Sequence, residues 1–148
     1  MNPPIMTMGA FLNIVDGLGR ILCVRQAYGK QLWTTPGGRI EAGENPLEAA
    51  LRETVEEVGI VFTTAEFNAV FWKTYANDIV FSFTARLPDH EMRFVPNAEI
   101  SEAGFFAPDA LPGPMAFNTS VRIKAAVAPA DFARRLFIFG DPETYMAF

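Results

Sequence analysis

The stretch GGRIEAGENPLEAALRETVEEVGI, Gly37 to Ile60, sets six glutamates against two arginines within one turn and one short helix. Both ends of the helix are marked. Asn45 can cap it, Pro46 suits its first position, Glu48 stands at capping-box spacing and Gly59 can end it, which predicts a helix from Pro46 to about Val58. On a wheel of about 100° per residue, Leu47, Ala50, Leu51, Thr54 and Val58 share one stripe, while Glu53, Glu56 and Glu57 fall on a separate arc.

An acidic arc is ordinarily a solvated face. Here, however, Glu53 faces Glu56 and Glu57 at i,i+3 and i,i+4, spacings at which like charges cost roughly 0.2–0.5 kcal/mol per pair. The cluster also sits in the C-terminal half of the helix, where the dipole disfavours negative charge. Only Arg52, one turn from Glu48 and Glu56, offers local relief. A hard divalent cation would remove the repulsion, since Mg²⁺ takes carboxylate oxygens together with waters and substrate phosphates. Such an ion can neutralise phosphate oxygens and acidify a bound water, which lets an acidic protein act on an acidic substrate.

Outward from this stretch, the 148 residues suit one domain, residues 1–148, and half of them are hydrophobic. The net charge is −5 and no basic run exceeds Arg134-Arg135, which argues against a nucleic-acid polymer as partner. Cys23, the single cysteine, lies in the apolar run Ile21-Leu22-Cys23-Val24 and reads as a buried hydrophobe. Neither a signal peptide nor an apolar run of ~18 residues is apparent, so a cytoplasmic protein that does not enter the membrane is expected. His90, the only histidine, stands in the polar loop PDHE, and no Cys/His metal pattern, Walker loop or GxGxxG occurs.

Met8–Val15 and Arg20–Gln26 read as strands joined by the turn Asp16-Gly17-Leu18-Gly19, and Leu32–Thr35 as a short strand before the break Pro36-Gly37-Gly38. Val61–Tyr75 and Asp78–Leu87 suggest longer strands around an Ala76-Asn77 turn, with another strand at Gly104–Phe106. Asn118-Thr119-Ser120 could cap a second helix reaching about Ala128. The aromatic tail after Asp131 could cover the core or build a homodimer interface. Mixed sheet plus two helices gives an α+β reading.

Gly38, Glu44, Arg52-Glu53, Glu56-Glu57 and Gly59-Ile60, at their spacings across 23 contiguous positions, resemble the Nudix box. That box is the signature of hydrolases that cleave nucleoside diphosphates linked to another moiety. The resemblance implies an αβα sandwich with a mixed β-sheet and a loop-helix-loop carrying the metal, Mg²⁺ with Mn²⁺ as a substitute. It implies Glu56 and Glu57 as principal ligands, the Gly37 or Gly38 carbonyl beside the metal, and Glu53 as either ligand or base. It further implies that Arg52 orients a catalytic carboxylate and that Glu44 supports the loop. Members often recruit another glutamate from beyond the box; Glu99 and Glu102 are the candidates, Glu99 slightly favoured. Thr54, Thr35 and Phe105 depart from the family pattern, which more often has an aliphatic residue, Leu and Trp there; Thr54 then needs a hydrogen-bond partner such as the carbonyl one turn earlier.

The implied substrate is a small nucleotide, a nucleoside triphosphate, ADP-ribose or nucleotide sugar, or dinucleoside polyphosphate. Trp72, Tyr75 and Phe117 are candidates for contacting a base, and Arg25, Lys73 and Arg122 for contacting phosphate, each against the plainer reading of core packing or surface charge. Tyr75, fifteen residues beyond Ile60, resembles diadenosine-polyphosphate-cleaving members. A Nudix-fold module that senses nucleotide without cutting it is the rival from another class, and a purely structural cation site is a third reading.

Overall fold

The computed structural model describes residues 2–87 and 92–148, so that His90 lies outside the described residues. In chain order the strands are β1 (Thr7–Val15), β2 (Ile21–Gln26), β3 (Trp33–Thr34) and β4 (Gly37–Arg39), then β5 (Glu66–Lys73), β6 (Asp78–Arg86), β7 (Ile100–Phe106), β8 (Leu136–Phe139) and β9 (Met146–Ala147). The helices are α1 (Pro46–Val58), after β4, and α2 (Phe117–Ala126), after β7. β1 runs parallel to β6 along its whole length, and β5 lies antiparallel to β6 and parallel to β8, with β9 at the edge. β2 is flanked by β3 and β7, both antiparallel.

The strict alternation of β1 explains the layers. Ala10, Leu12 and Ile14 are fully buried and join Ala49, Ala50 and Val58 of α1 in one core. Phe11 points the other way, into a second core with Val80, Phe137 and Val121 of α2. Two helices thus cover opposite faces of one mixed sheet, the expected αβα sandwich. No helix among the described residues is long and apolar enough to cross a membrane.

α1 forms as its sequence dictates. Asn45 Oδ1 accepts from Glu48 N at 2.8 Å, Glu48 Oε1 accepts from Asn45 N at 3.3 Å, and Gly59 ends the helix at φ 69°. The Thr54 hydroxyl donates to the Ala50 carbonyl at 2.8 Å, the partner expected one turn earlier.

Elsewhere the strands differ from expectation. The first two form a hairpin only at Val15↔Ile21, because Gly37 and Gly38 of the expected break Pro36-Gly37-Gly38 pair, with Arg39, as β4 against Gly9–Phe11 and displace β2. A Cβ on Gly37 would stand 2.4 Å from the Ala10 carbonyl oxygen, so only glycine allows this approach. β5 starts at Glu66 rather than Val61, which is three-quarters exposed. β7 begins earlier than expected, at Ile100. α2 starts at Phe117 without a side-chain cap, because Ser120 turns back to the Phe117 carbonyl. The tail supplies β8 and β9.

Candidate active site

β4 carries the chain from the sheet straight into the loop before α1 and thereby fixes the helix over the glycines. Glu57 is 5% exposed, and its Oε1 accepts a hydrogen bond from Gly37 N at 3.4 Å. The helical wheel had set Glu57 on the acidic arc; in the fold that part of the arc turns inward against β4. Glu53 is mostly buried beside it, and a Cβ on Gly38 would lie 2.7 Å from the Glu53 carboxylate. Gly38 is therefore a cradle for that side chain. Gly38→Ala should push the Glu53 carboxylate aside and lower turnover about tenfold or more. Steady-state kinetics beside the unaltered circular dichroism spectrum checks this.

The third carboxylate comes from a distant loop. Asn97 Oδ1 accepts from Glu99 N at 3.0 Å and from Ile100 N at 2.9 Å, forming a tight turn at the start of β7. Asn97 Nδ2 donates to the Glu57 carbonyl at 3.1 Å, tying that turn to the end of α1. As a result Glu53, Glu57 and Glu99 each bring a carboxylate oxygen within 4.8 Å of the others. Glu102 lies elsewhere, paired with Arg25 at 3.8 Å.

Arg52 organises the outer side. Its Nε and Nη2 make a forked pair with Glu44 at 2.7 and 3.0 Å, Nη2 also donates to the Arg39 carbonyl at 3.1 Å, and Nη1 donates to Glu53 Oε1 at 3.0 Å and to Glu56 at 3.3 Å. Glu44, whose Oε1 also accepts from Glu41 N, joins loop to helix as expected. Glu56 is half-exposed and stays with Arg52, outside the converging trio.

The trio is electrostatically strained. Burial, then the neighbouring Glu53 charge, drives the Glu57 pKa upward, and burial outweighs Arg52 in raising Glu53. By contrast the Arg52 guanidinium holds Glu44 down to about 2. Converging hard oxygens, one carboxylate buried and without a cation of its own among the described residues, fit a divalent metal ion.

Of the trio, Glu57 and Glu99 line a cavity of about 360 Å³, whose walls also include Tyr28, Arg39, Lys73, Asp78 and Asn118. Burial and the charges of Glu57, Glu99 and Glu53 raise the Tyr28 pKa, placing its hydroxyl within their field. Lys73 pairs with Asp78 at 2.8 Å. Arg122 lies in the wall, its pKa pulled by burial to about 10, so it stays charged at neutral pH. Arg25, Trp72, Tyr75 and Phe117 lie outside this lining: Arg25 Nε donates to the Gln31 carbonyl at 3.1 Å, and the three rings are each partly open to solvent. Tyr28, Asp78 and Asn118 were not singled out from sequence. For Tyr28 the available signal was its place in the short loop AYGKQ, directly after a strand.

The NUDIX domain family matches residues 6–126, a span holding the glycine cradle, the acidic helix and Glu99. The chain belongs to the Nudix family. The crystal structure of a MutT NUDIX hydrolase from Burkholderia pseudomallei is similar at 27% identity and a TM-score of 0.72, covering 84% of this Nudix chain and 100% of that one. An RNA pyrophosphohydrolase of Halorhodospira halophila is 52% identical over 42 residues, 28% of this chain and 23% of the relative. A bis(5'-nucleosyl)-tetraphosphatase [asymmetrical] of Rattus norvegicus is 51% identical over 39 residues, 26% of each chain. Matches to the curated relatives span 35% or less of those proteins' own lengths.

Proposed function

We propose that this chain is a cytoplasmic, Mg²⁺-dependent pyrophosphohydrolase, with Mn²⁺ as a substitute ion, that cleaves a nucleoside diphosphate linked to another moiety. The observation that carries the proposal is the convergence of Glu53, Glu57 and Glu99 within 4.8 Å, with Glu57 and Glu99 in the cavity wall. Relatives named as an RNA pyrophosphohydrolase and a bis(5'-nucleosyl)-tetraphosphatase support the same class of bond.

Glu53, Glu57 and the Gly38 carbonyl would hold the ion, with Glu56 as the further ligand from the outer side of α1. Bound there, it would acidify a water and neutralise phosphate oxygens. Arg52 orients Glu53 by donating to its Oε1 through Nη1. Glu99, fixed by the Asn97 turn, accepts the proton of the water that attacks one phosphorus as the phosphoanhydride bond breaks; Glu53 is the alternative acceptor. Arg39 and Lys73, two cations of the cavity lining, would meet phosphate oxygens.

The test is product analysis by chromatography after incubation with Mg²⁺ and a panel of nucleoside triphosphates, nucleotide sugars, ADP-ribose and dinucleoside polyphosphates. Cleavage of one class, stopped by EDTA, is expected. Nucleotide binding without cleavage of any member would overturn hydrolysis in favour of a sensing module.

A further inference from the structure

Strand alternation leaves part of one sheet face apolar and uncovered. In β5 and β8, Ala69, Phe71, Phe137 and Phe139 point into the α2 core, so Val70, Trp72, Leu136 and Ile138 point to the α1 side. Met146 and Phe148 flank Ala147, which packs against the α2 core, and they share the α1 side. Phe148 extends the pairing of β9, its N donating to the Leu136 carbonyl at 2.9 Å.

Register brings these side chains into rows. Met8 stands beside Ile79, Ile79 beside Trp72, Trp72 beside Ile138 and Ile138 beside Met146, a single line across five strands. The adjoining line runs through Phe81, Val70, Leu136 and Phe148. Neither line holds a charged or polar residue, whereas a sheet face open to water ordinarily carries polar side chains.

α1 covers little of this area. It packs over β1 and β4 and reaches β6, and among the described residues no core cluster takes in Trp72, Ile138, Met146 or Phe148. Met8 is 46% exposed, Trp72 41%, Met146 61% and Phe148 60%. At about 150–250 Å² for a fully exposed large side chain, these four and their part-covered neighbours leave on the order of 600 Å² of apolar surface open. That is the top of what a monomer exposes in one patch, and it reaches the roughly 600–1,000 Å² per partner that a stable interface takes.

The chemistry of the face also selects its partner. A charged surface laid against it would lose hydration and gain no bond. A second copy of this chain, despite a net charge of −5, brings no charge against the two rows. Two such faces can stack about 10 Å apart around a two-fold axis, each covering the other. We propose that the α1-side face of β5, β8 and β9 is a homodimer interface with Trp72 at its centre. The tail after Asp131 then serves both ends open to it: Phe137 and Phe139 fill the core, and Leu136, Ile138, Met146 and Phe148 build the interface. The cavity, lined by Phe11, Val80 and Arg122, lies on the α2 side, so the dimer leaves both sites open.

Sedimentation velocity of the full chain from about 1 to 100 μM tests this. The wild type should sediment as a dimer with a Kd of about 10 μM or tighter. The double variant Met146→Glu, Phe148→Glu places carboxylates inside the stack and should weaken association at least 100-fold. Its circular dichroism spectrum and turnover per chain should stay at wild-type values. Trp72 supplies a readout that needs no variant. Trp33, the other tryptophan, is buried, so acrylamide quenching reports Trp72 and should increase as the wild type is diluted through its Kd. A wild type that stays monomeric at the highest concentration would overturn the proposal, and its flotation with neutral phosphatidylcholine vesicles would assign the face to lipid instead. A dimer unchanged by the double substitution, or one whose Trp72 is quenched as readily as in the monomer, would also overturn it by moving the interface elsewhere. If the double variant fails to fold, the wild-type dilution series decides.

Discussion

Glu57→Gln should lose turnover on the order of 100-fold or more while making the metal-free protein more stable at neutral and alkaline pH. The first half follows from removing a charged oxygen from the proposed cation site, where even outer partners of a metal are worth 10- to 100-fold. The second half follows from burial. Glu57 is 5% exposed with its pKa raised by desolvation and by Glu53. A carboxyl whose folded pKa lies above its unfolded one leaves stability untouched below about pH 4.5, where both states are protonated. Stability then falls as pH rises, because the unfolded chain releases the proton and the folded chain does not. Glutamine has no proton to release. Thermal melts in EDTA should show the variant above the wild type at pH 8, with the gap closing toward pH 4.5. Adding Mg²⁺ should raise the wild-type Tm and leave the variant's nearly unchanged, a gain of about 2.7 kcal/mol at one hundred times Kd. A variant that still turns over with an unchanged Mg²⁺ response would remove Glu57 from the site.

The same residue shows where sequence reading stops. Asn45, Pro46, Glu48 and Gly59 mark the ends of α1 by local chemistry, and the helix lies where they predict. Its acidic arc was legible as an angle, but an angle does not say what packs against it. Glu57 is buried and Glu56 half-exposed because β4 comes back beside β1, a long-range pairing set by the absence of a Cβ at Gly37. The choice between Glu99 and Glu102 was similarly undetermined by local pattern. The Asn97 side chain, bonded across forty residues to the Glu57 carbonyl, brings Glu99 to the trio, while the strand pairing carries Glu102 to Arg25. For Arg122 the sequence offered a phosphate contact or a surface charge, and nothing in its neighbours in sequence signals burial; its partners Thr34 and Thr35 come from β3 and the turn that follows it.

Arg52→Leu is the second large effect, and it separates an organising role from a supporting one. A single guanidinium donates to Glu44, Glu53 and Glu56 and lies 3.7 Å from Glu41, so leucine leaves four carboxylates facing one another. The forked pair with Glu44 also joins the loop to α1, and through the Arg39 carbonyl it fixes the strand that places Gly38. Tm should fall by roughly 5 °C or more, and turnover by about 10- to 100-fold. Arg52→Lys should recover the charge without the fork, restoring part of the Tm and less of the turnover. Mg²⁺ should stabilise Arg52→Leu by more than it stabilises the wild type, because a bound cation then takes over charge neutralisation from the missing side chain. If the leucine variant lost stability but kept wild-type turnover, Arg52 would hold the loop without orienting Glu53, and the role of that carboxylate would have to rest on the Gly38 cradle alone.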